Sequence, residues 1–220
     1  MKSVIVSGST GNLGSAIVEK FLLEGYTVIG TVSKEQAPGK TSEQANLYYV
    51  PVDLRSEDQV QQFFKTTLNN YPDLSIAINT VGGFRSGNIN ETDVTALQDQ
   101  YNLNFITSYN FARAYFMHAK RVGRLYLTGA RTGMDMNNSK GMTAYGLSKS
   151  LVFRLSELLN KEGSKMDFHS TVIVPTTIDT PQNRAAMPAA DFSKWTTPQS
   201  IAEQIFLHHS SASREELLVV

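Results

Sequence analysis

Along the chain, short apolar runs alternate with longer stretches of helical spacing. Val4-Ile5-Val6 ends in a glycine-rich turn, and Leu13, Ile17 and Phe21 then follow at helical spacing. Gly25 is placed to close that helix as the residue just past its C-cap. Thr27 to Val32 predicts a second strand and Leu47 to Val52 a third, followed by Asp53. Ser56-Glu57-Asp58-Gln59 has the form of a capping box, opening a helix whose apolar face takes in Val60, Phe63 or Phe64, and Leu68. Leu74 to Thr80 predicts a fourth strand, and Asp93 to His118 a long helical stretch. A fifth strand at Gly123–Thr128, a long helix from Thr143 to about Lys161, a sixth strand at Thr171–Val174 and a short last one at Leu217–Val220 complete the pattern.

Strands that alternate with helices imply parallel pairing, right-handed crossovers and helices on both sheet faces. The expected fold is therefore α/β: a Rossmann-type, doubly wound, mostly parallel sheet of about seven strands, with ligands at the carboxyl ends of the strands. A chain of 220 residues, 41% apolar and 18% charged, is expected to form one domain over residues 1–220. The formal net charge of zero gives no basic surplus for nucleic acid or an anionic membrane. With no cysteine, disulfides and thiolate metal sites are excluded. His118, His169, His208 and His209 show no ligand spacing, so no metal is expected, and the adjacent pair reads as a helix end. The first residues carry too short an apolar run for a signal peptide, and no stretch has the length of a membrane span, so a cytoplasmic location is expected.

Gly8-Ser9-Thr10-Gly11-Asn12-Leu13-Gly14 lies between the first strand and the first helix. Glycines there let the turn tighten and bring backbone N–H groups toward a pyrophosphate at the helix N-terminus. A plain tight turn fits the Gly-x-x-Gly-x-x-Gly spacing too; its place as the first strand-to-helix turn strengthens the binding reading. A site for NAD commonly has an acidic residue near the end of the second strand. Here Val32-Ser33-Lys34 comes first and no carboxylate appears until Glu35. A hydroxyl followed by a cation suits a 2′-phosphate, so NADP, with NADPH preferred over NADH, is the expected cofactor. Lys34 as a solvated loop lysine remains the alternative. Asp53 and Leu54 are placed to meet the adenine ring, although a turn aspartate explains Asp53 as well.

Tyr145-Gly146-Leu147-Ser148-Lys149 sets a phenol and an ammonium one helical turn apart on one face. A neighbouring cation stabilises phenolate and lowers a pKa that starts near 10, which would fit Tyr145 for proton transfer. A surface pair at this spacing is common, but this one follows the fifth strand of a Rossmann pattern. With these elements the chain resembles the short-chain dehydrogenase/reductase family over essentially its whole length. That resemblance implies a Tyr145/Lys149 active site with Asn104 in a structural and proton-relay role. It matches Asn79-Thr80-Val81-Gly82-Gly83 to the family's Asn-Asn-Ala-Gly segment, and Pro175-Thr176-Thr177-Ile178-Asp179-Thr180 to the segment that holds the nicotinamide carboxamide. It also implies a homodimer or homotetramer formed through the two long helices.

The family's catalytic serine is where the sequence departs. Matching strand to strand puts Ala130 there, whereas counting thirteen residues back from Tyr145 gives Thr132. The quinonoid dihydropteridine reductase branch tolerates alanine, and the chain resembles it in several places. These are the glycine-turn spacing, Val81-Gly82-Gly83-Phe84, Gly129-Ala130 and Gly141-Met142-x-x-Tyr145-Gly146-x-x-Lys149. The longest match is Asp179-Thr180-Pro181-x-Asn183-Arg184-x-x-Met187-Pro188-x-Ala190-Asp191-Phe192-Ser193-x-Trp195-Thr196. The resemblance implies hydride transfer from reduced nicotinamide to a quinonoid dihydropterin-like substrate, protonated by Tyr145. Phe84, Ala130, Thr132, Asn183 and Met187 would border the substrate. Two differences from that branch are Ser33-Lys34 in place of an aspartate and an Arg131–Ala144 segment about two residues longer. Two other readings stay open: a carbonyl or quinone reductase using Thr132, and a non-catalytic NADP-binding sensor.

Overall fold

Seven parallel strands build one sheet in the order β3-β2-β1-β4-β5-β6-β7. The computed structural model describes residues 2–34, 45–119, 122–135, 137 and 139–220; Glu35, the first carboxylate after the second strand, lies outside them. In chain order the elements are β1 (Ser3–Ser7), α1 (Asn12–Leu23), β2 (Thr27–Val32), β3 (Leu47–Pro51), α2 (Glu57–Asn70) and β4 (Ile76–Asn79). Then come α3 (Val94–Gln100), a π-helical turn (Tyr101–Ile106), α4 (Thr107–His118), β5 (Val122–Thr128), α5 (Arg131–Met134) and α6 (Thr143–Glu162). The last elements are β6 (Asp167–Val174), α7 (Pro181–Ala186), α8 (Pro198–Ser210) and β7 (Leu217–Val219). The order reverses at β1, which pairs with β2 on one side and β4 on the other. A crevice for ligand forms at such a reversal.

The strands read as continuous apolar runs because both sheet faces are covered. Successive residues point to opposite faces. Thus Ile5 and Ala77 pack with Phe64, Phe111 and Val152 of α2, α4 and α6, while Val4, Val6 and Ile78 pack with Ile17, Phe21 and Ile205 of α1 and α8. Phe63 and Phe64 are both buried, so the α2 face is wider than one of them alone would give. Gly25 has φ +77°, the left-handed conformation expected just past α1.

Three expectations need correction. Ser56 caps α2 by accepting from Gln59 N, but Gln59 Oε1 accepts from Asp53 N, so the reciprocal half of a capping box does not form. β6 starts at Asp167, not Thr171; its early residues His169 and Ser170 are polar yet buried, which hid the strand from an apolar pattern. The long helix from Asp93 is interrupted by the π turn, and Asp93 itself caps α3 by accepting from Ala96 N at 2.7 Å.

Candidate active site

Three segments converge at the carboxyl ends of β1, β4 and β5, and each is shaped by close backbone approach. In the glycine turn, Gly8 sits at φ +59° and its carbonyl accepts from Gly11 N at 2.9 Å. A Cβ on Gly14 would come within 2.1 Å of the Gly8 oxygen, so only glycine permits this approach of helix to turn. Gly11 is the N-cap of α1 and gives no side-chain cap, leaving the first-turn N–H groups to face an anion without a competing side chain. Beside the turn lies a cavity of about 490 Å³. Gly8, Ser33, Lys34, Asp53, Leu54 and Val81 all line it, bringing together residues from four separate predicted segments. Asp53 Oδ1 accepts from Arg55 N at 2.9 Å, the turn-aspartate arrangement. A larger hollow of about 600 Å³ lies between β3 and α2 and reaches neither the glycine turn nor Tyr145.

The second segment follows β4. Asn79 is buried and ties three elements together: it is hydrogen-bonded by Ser7 Oγ, donates to Ser108 Oγ at 2.9 Å, and accepts at its carbonyl from Thr128 Oγ1 at 2.8 Å. Asn104 sits in the π turn, fully buried. Its Oδ1 accepts from Gly83 N and its Nδ2 donates to Gly83 O, both at 3.0 Å, with Ser148 Oγ 3.2 Å from the same nitrogen. The wider turn is an insertion of the kind that often marks functional positions in helices. A Cβ on Gly82 would stand 2.8 Å from Asn104 Oδ1 and 3.1 Å from Lys149 Nζ, so this glycine lets the amide and the ammonium draw together.

α6 carries the third segment. Lys149 is only 3% exposed, and its Nζ donates to Thr128 O at 2.7 Å. Burial pulls its pKa down to about 8. Nζ stands 6.0 Å from the centre of the Tyr145 ring. Contrary to the expectation of a lowered phenol, burial pushes Tyr145 up to about 12. Loss of hydration outweighs a cation at that distance, and the phenol stays protonated through the neutral range. Phe84, 59% exposed, meets Tyr145 edge to face with ring centres 5.1 Å apart. The contact is fixed by a two-bond clasp, Gly87 N to Gly141 O at 2.8 Å and Thr143 N to Gly87 O at 2.9 Å. Ala130, almost buried, directly precedes α5 and offers only a methyl group. Thr132 lies within α5, its hydroxyl oxygen buried and without a hydrogen-bond partner among the described residues.

A folded excursion after β6 completes the cleft. Pro175 is buried, and Ile178 bridges to Thr196. Thr180 caps α7 by accepting from Asn183 N at 3.1 Å, while Asn183 Nδ2 donates to Ile178 O at 2.8 Å. The Asn183 amide is thus spent on holding the excursion. Arg184 forks onto Asp179 at 2.6 and 2.7 Å and lies 4.7 Å from the Phe192 ring, which packs on Trp195 at 4.7 Å. Met187 is exposed. Asn12 Nδ2 donates to Gln182 Oε1 at 2.8 Å, joining the glycine turn to α7 across 170 residues.

A model of the short chain dehydrogenase family matches residues 2–191. The chain belongs to that family. Among curated relatives, the dihydropteridine reductase of Dictyostelium discoideum is 26% identical over 93% of this chain and 86% of its own length. Among solved structures, ElxO with NADP bound superposes with a TM-score of 0.87 at 19% identity, covering all of this chain and 96% of that one. The ligand-free aldohexose dehydrogenase of Thermoplasma acidophilum gives 0.83 at 21% identity, over all of this chain and 92% of its own. This short chain dehydrogenase is an oxidoreductase with the parallel seven-stranded fold of those structures.

The structure adds residues that the sequence pattern passed over. Arg55 lines the 490 Å³ cavity beside Asp53 and Leu54. Asn110 of α4 donates to Leu54 O at 3.0 Å and reaches Arg55 O at 3.3 Å. Both lie in the reach of a turn or helix whose role depends on partners more than fifty residues away. Arg55 alone left a readable trace, as a cation directly after Asp53-Leu54.

Proposed function

We propose that this chain is an NADPH-dependent reductase that delivers a hydride to the electron-poor, imine-like ring of a quinonoid dihydropterin, with Tyr145 giving the proton. The observation that carries this reading is Ala130, which offers only a methyl group two residues past β5, at the position that strand matching assigns to the family's serine. Reducing a ketone builds charge on oxygen, and one missing oxyanion donor costs about 3 kcal/mol in comparable sites. Reducing a C=N bond calls for a proton at nitrogen, which the neutral Tyr145 phenol is in the right state to give. Phe84, packed on Tyr145, offers a flat ring its apolar face. The relationship to a dihydropteridine reductase supports the same substrate class.

The residues fit a nicotinamide dinucleotide. The N–H groups of the turn from Gly8 through Thr10, Gly11, Asn12 and Leu13 to Gly14 would hold the pyrophosphate. Ser33, Lys34, Asp53 and Leu54 would surround the adenosine; Val81, Gly82, Gly83, Pro175, Ile178 and Thr180 would flank the nicotinamide half. Bound there, the reduced ring supplies a hydride. Lys149, held by Thr128 O, would present a positive charge to the ribose hydroxyls and to the phenol below its pKa of about 8. Asn104 holds the Gly82-Gly83 backbone in place through its paired bonds to Gly83. Thr132, whose hydroxyl has no partner among the described residues, is the feature that favours a carbonyl or quinone as the second reading.

Residues 1–220 act as one catalytic unit in this proposal. Exposed Tyr109 and Met117 on α4, and Leu151 and Leu158 on α6, supply the apolar surface for a homodimer or homotetramer. Among the described residues no helix is long and apolar enough to cross a membrane. A substrate panel with NADPH tests the function: quinonoid dihydropterin should turn over far faster than simple ketones or quinones. Faster ketone turnover would select the Thr132 reading, and tight NADPH binding with no turnover of any substrate would select a sensor.

A further inference from the structure

Resting on the dinucleotide reading above, we propose that Arg55, between β3 and α2, is the second cation of a 2′-phosphate site opened by Lys34, and that buried Asn110 is its positioning residue. The cavity beside the glycine turn is lined by Ser33 and Lys34 from the end of β2 and by Asp53, Leu54 and Arg55 from the end of β3. Among the described residues, neither the Lys34 nor the Arg55 side chain is engaged in an ion pair or hydrogen bond, and both residues are exposed. Asp53 is the one carboxylate among the lining residues, and its Oδ1 already accepts from Arg55 N. Among the described residues, two cations without an ion pair thus share a cavity with a single engaged carboxylate. That is a field for an added anion on the adenosine ribose, where a second carboxylate would repel it.

The two cations differ in kind. Lys34 offers a compact charge on a flexible stem, whereas Arg55 offers a planar fork that meets two phosphate oxygens at once. The fork is useful only if its backbone is fixed, and this backbone is held at both ends. Asn110 is 6% exposed and its amide nitrogen lies 3.0 Å from Leu54 O and 3.3 Å from Arg55 O. The Asp53 carboxylate takes Arg55 N from the other side at 2.9 Å. Only the side chain of Arg55 remains to be ordered when phosphate binds. Asn110 lies six residues beyond Asn104 on the same run of helix, so one element supports both the nicotinamide and the adenosine ends of the cleft.

Titration calorimetry with adenosine 2′,5′-bisphosphate and adenosine 5′-monophosphate tests this on the full chain. The native protein is expected to prefer the bisphosphate. Arg55→Ala should cut that preference about tenfold or more while leaving monophosphate affinity unchanged, and Arg55→Lys should recover part of it. Asn110→Ala should lower the preference by a smaller factor, again at unchanged monophosphate affinity; a merely structural role would weaken both ligands together. An undiminished preference in Arg55→Ala would overturn the assignment and leave Lys34 as the sole cation. Equal affinity of the native protein for both nucleotides would remove the 2′-phosphate site but not the dinucleotide reading, and binding of neither would remove both.

Discussion

Two bases shifted by burial, one buried and one half-buried, lie in different settings in this molecule. Lys149 and His209 are both pulled well below their ordinary pKa values, to about 8 and about 4, and in both burial is the leading cause. Lys149 is held by Thr128 O and stands beside Asn104, across a glycine that leaves no room for a Cβ. His209 lies near the end of α8 against the rings of Phe21 and Tyr26, its Nδ1 buried without a partner among the described residues. Its neighbour His208 does bond, Nδ1 to Tyr126 Oη at 2.9 Å, but inside the core. A shifted pKa is therefore a weak marker of function when taken alone. What separates the two places is a polar frame built around the shifted group, opening on a cleft.

The largest expected effect comes from Lys149→Met. Turnover should fall by about a hundredfold or more while the fold survives, since the change removes a buried ammonium. The sign of its pH signature follows from the lowered pKa. Between about pH 8 and 10.5 the unfolded lysine holds a proton that the folded one has lost, so this group makes stability rise with pH across that window. The Met variant should lose that rise, as urea denaturation at a series of pH values would show. Gly82→Ala comes next. Its Cβ would press on Asn104 Oδ1 and Lys149 Nζ, and the expected result is about a tenfold or greater loss of kcat together with about 1–3 kcal/mol of stability.

His209→Phe should do the reverse. As pH falls from 6.5 toward 4, the unfolded histidine takes up a proton that the folded one refuses, so the native chain loses stability in that range. Allowing for its partial exposure, the loss should be about 1–3 kcal/mol, absent in the Phe variant, with turnover at pH 7 unchanged. A drop in turnover would break the comparison. The smallest effect is expected from Gln182→Ala, which removes the bond to Asn12: about a twofold to fivefold faster NADPH release in stopped flow, with the hydride-transfer step unaltered.

Much of this frame is legible along the chain. Strand-to-helix alternation, the glycine turn, and Tyr145 with Lys149 are local signals, and they land at the carboxyl ends of the strands as expected. The polar start of β6 is not legible, because His169 and Ser170 are buried by neighbours that only the sheet supplies. Nor is the π turn, whose widening depends on what Asn104 meets across the fold at Gly83 and Ser148. The protonation of Tyr145 is not legible for the same reason: spacing reveals the nearby cation, whereas the depth of burial that outweighs it belongs to the assembled cleft.

Tyr145 is proposed to serve as a neutral acid for a C=N substrate in this cleft. The most direct test is steady-state turnover of chemically generated quinonoid dihydropterin by NADPH, run in parallel on the native chain and on Tyr145→Phe, with NADPH affinity measured for both. Fast native turnover is expected, with a loss of about a hundredfold or more in the variant and unchanged NADPH affinity. Equal rates in the two proteins, or a native chain that binds NADPH tightly and leaves the pterin untouched, would contradict it.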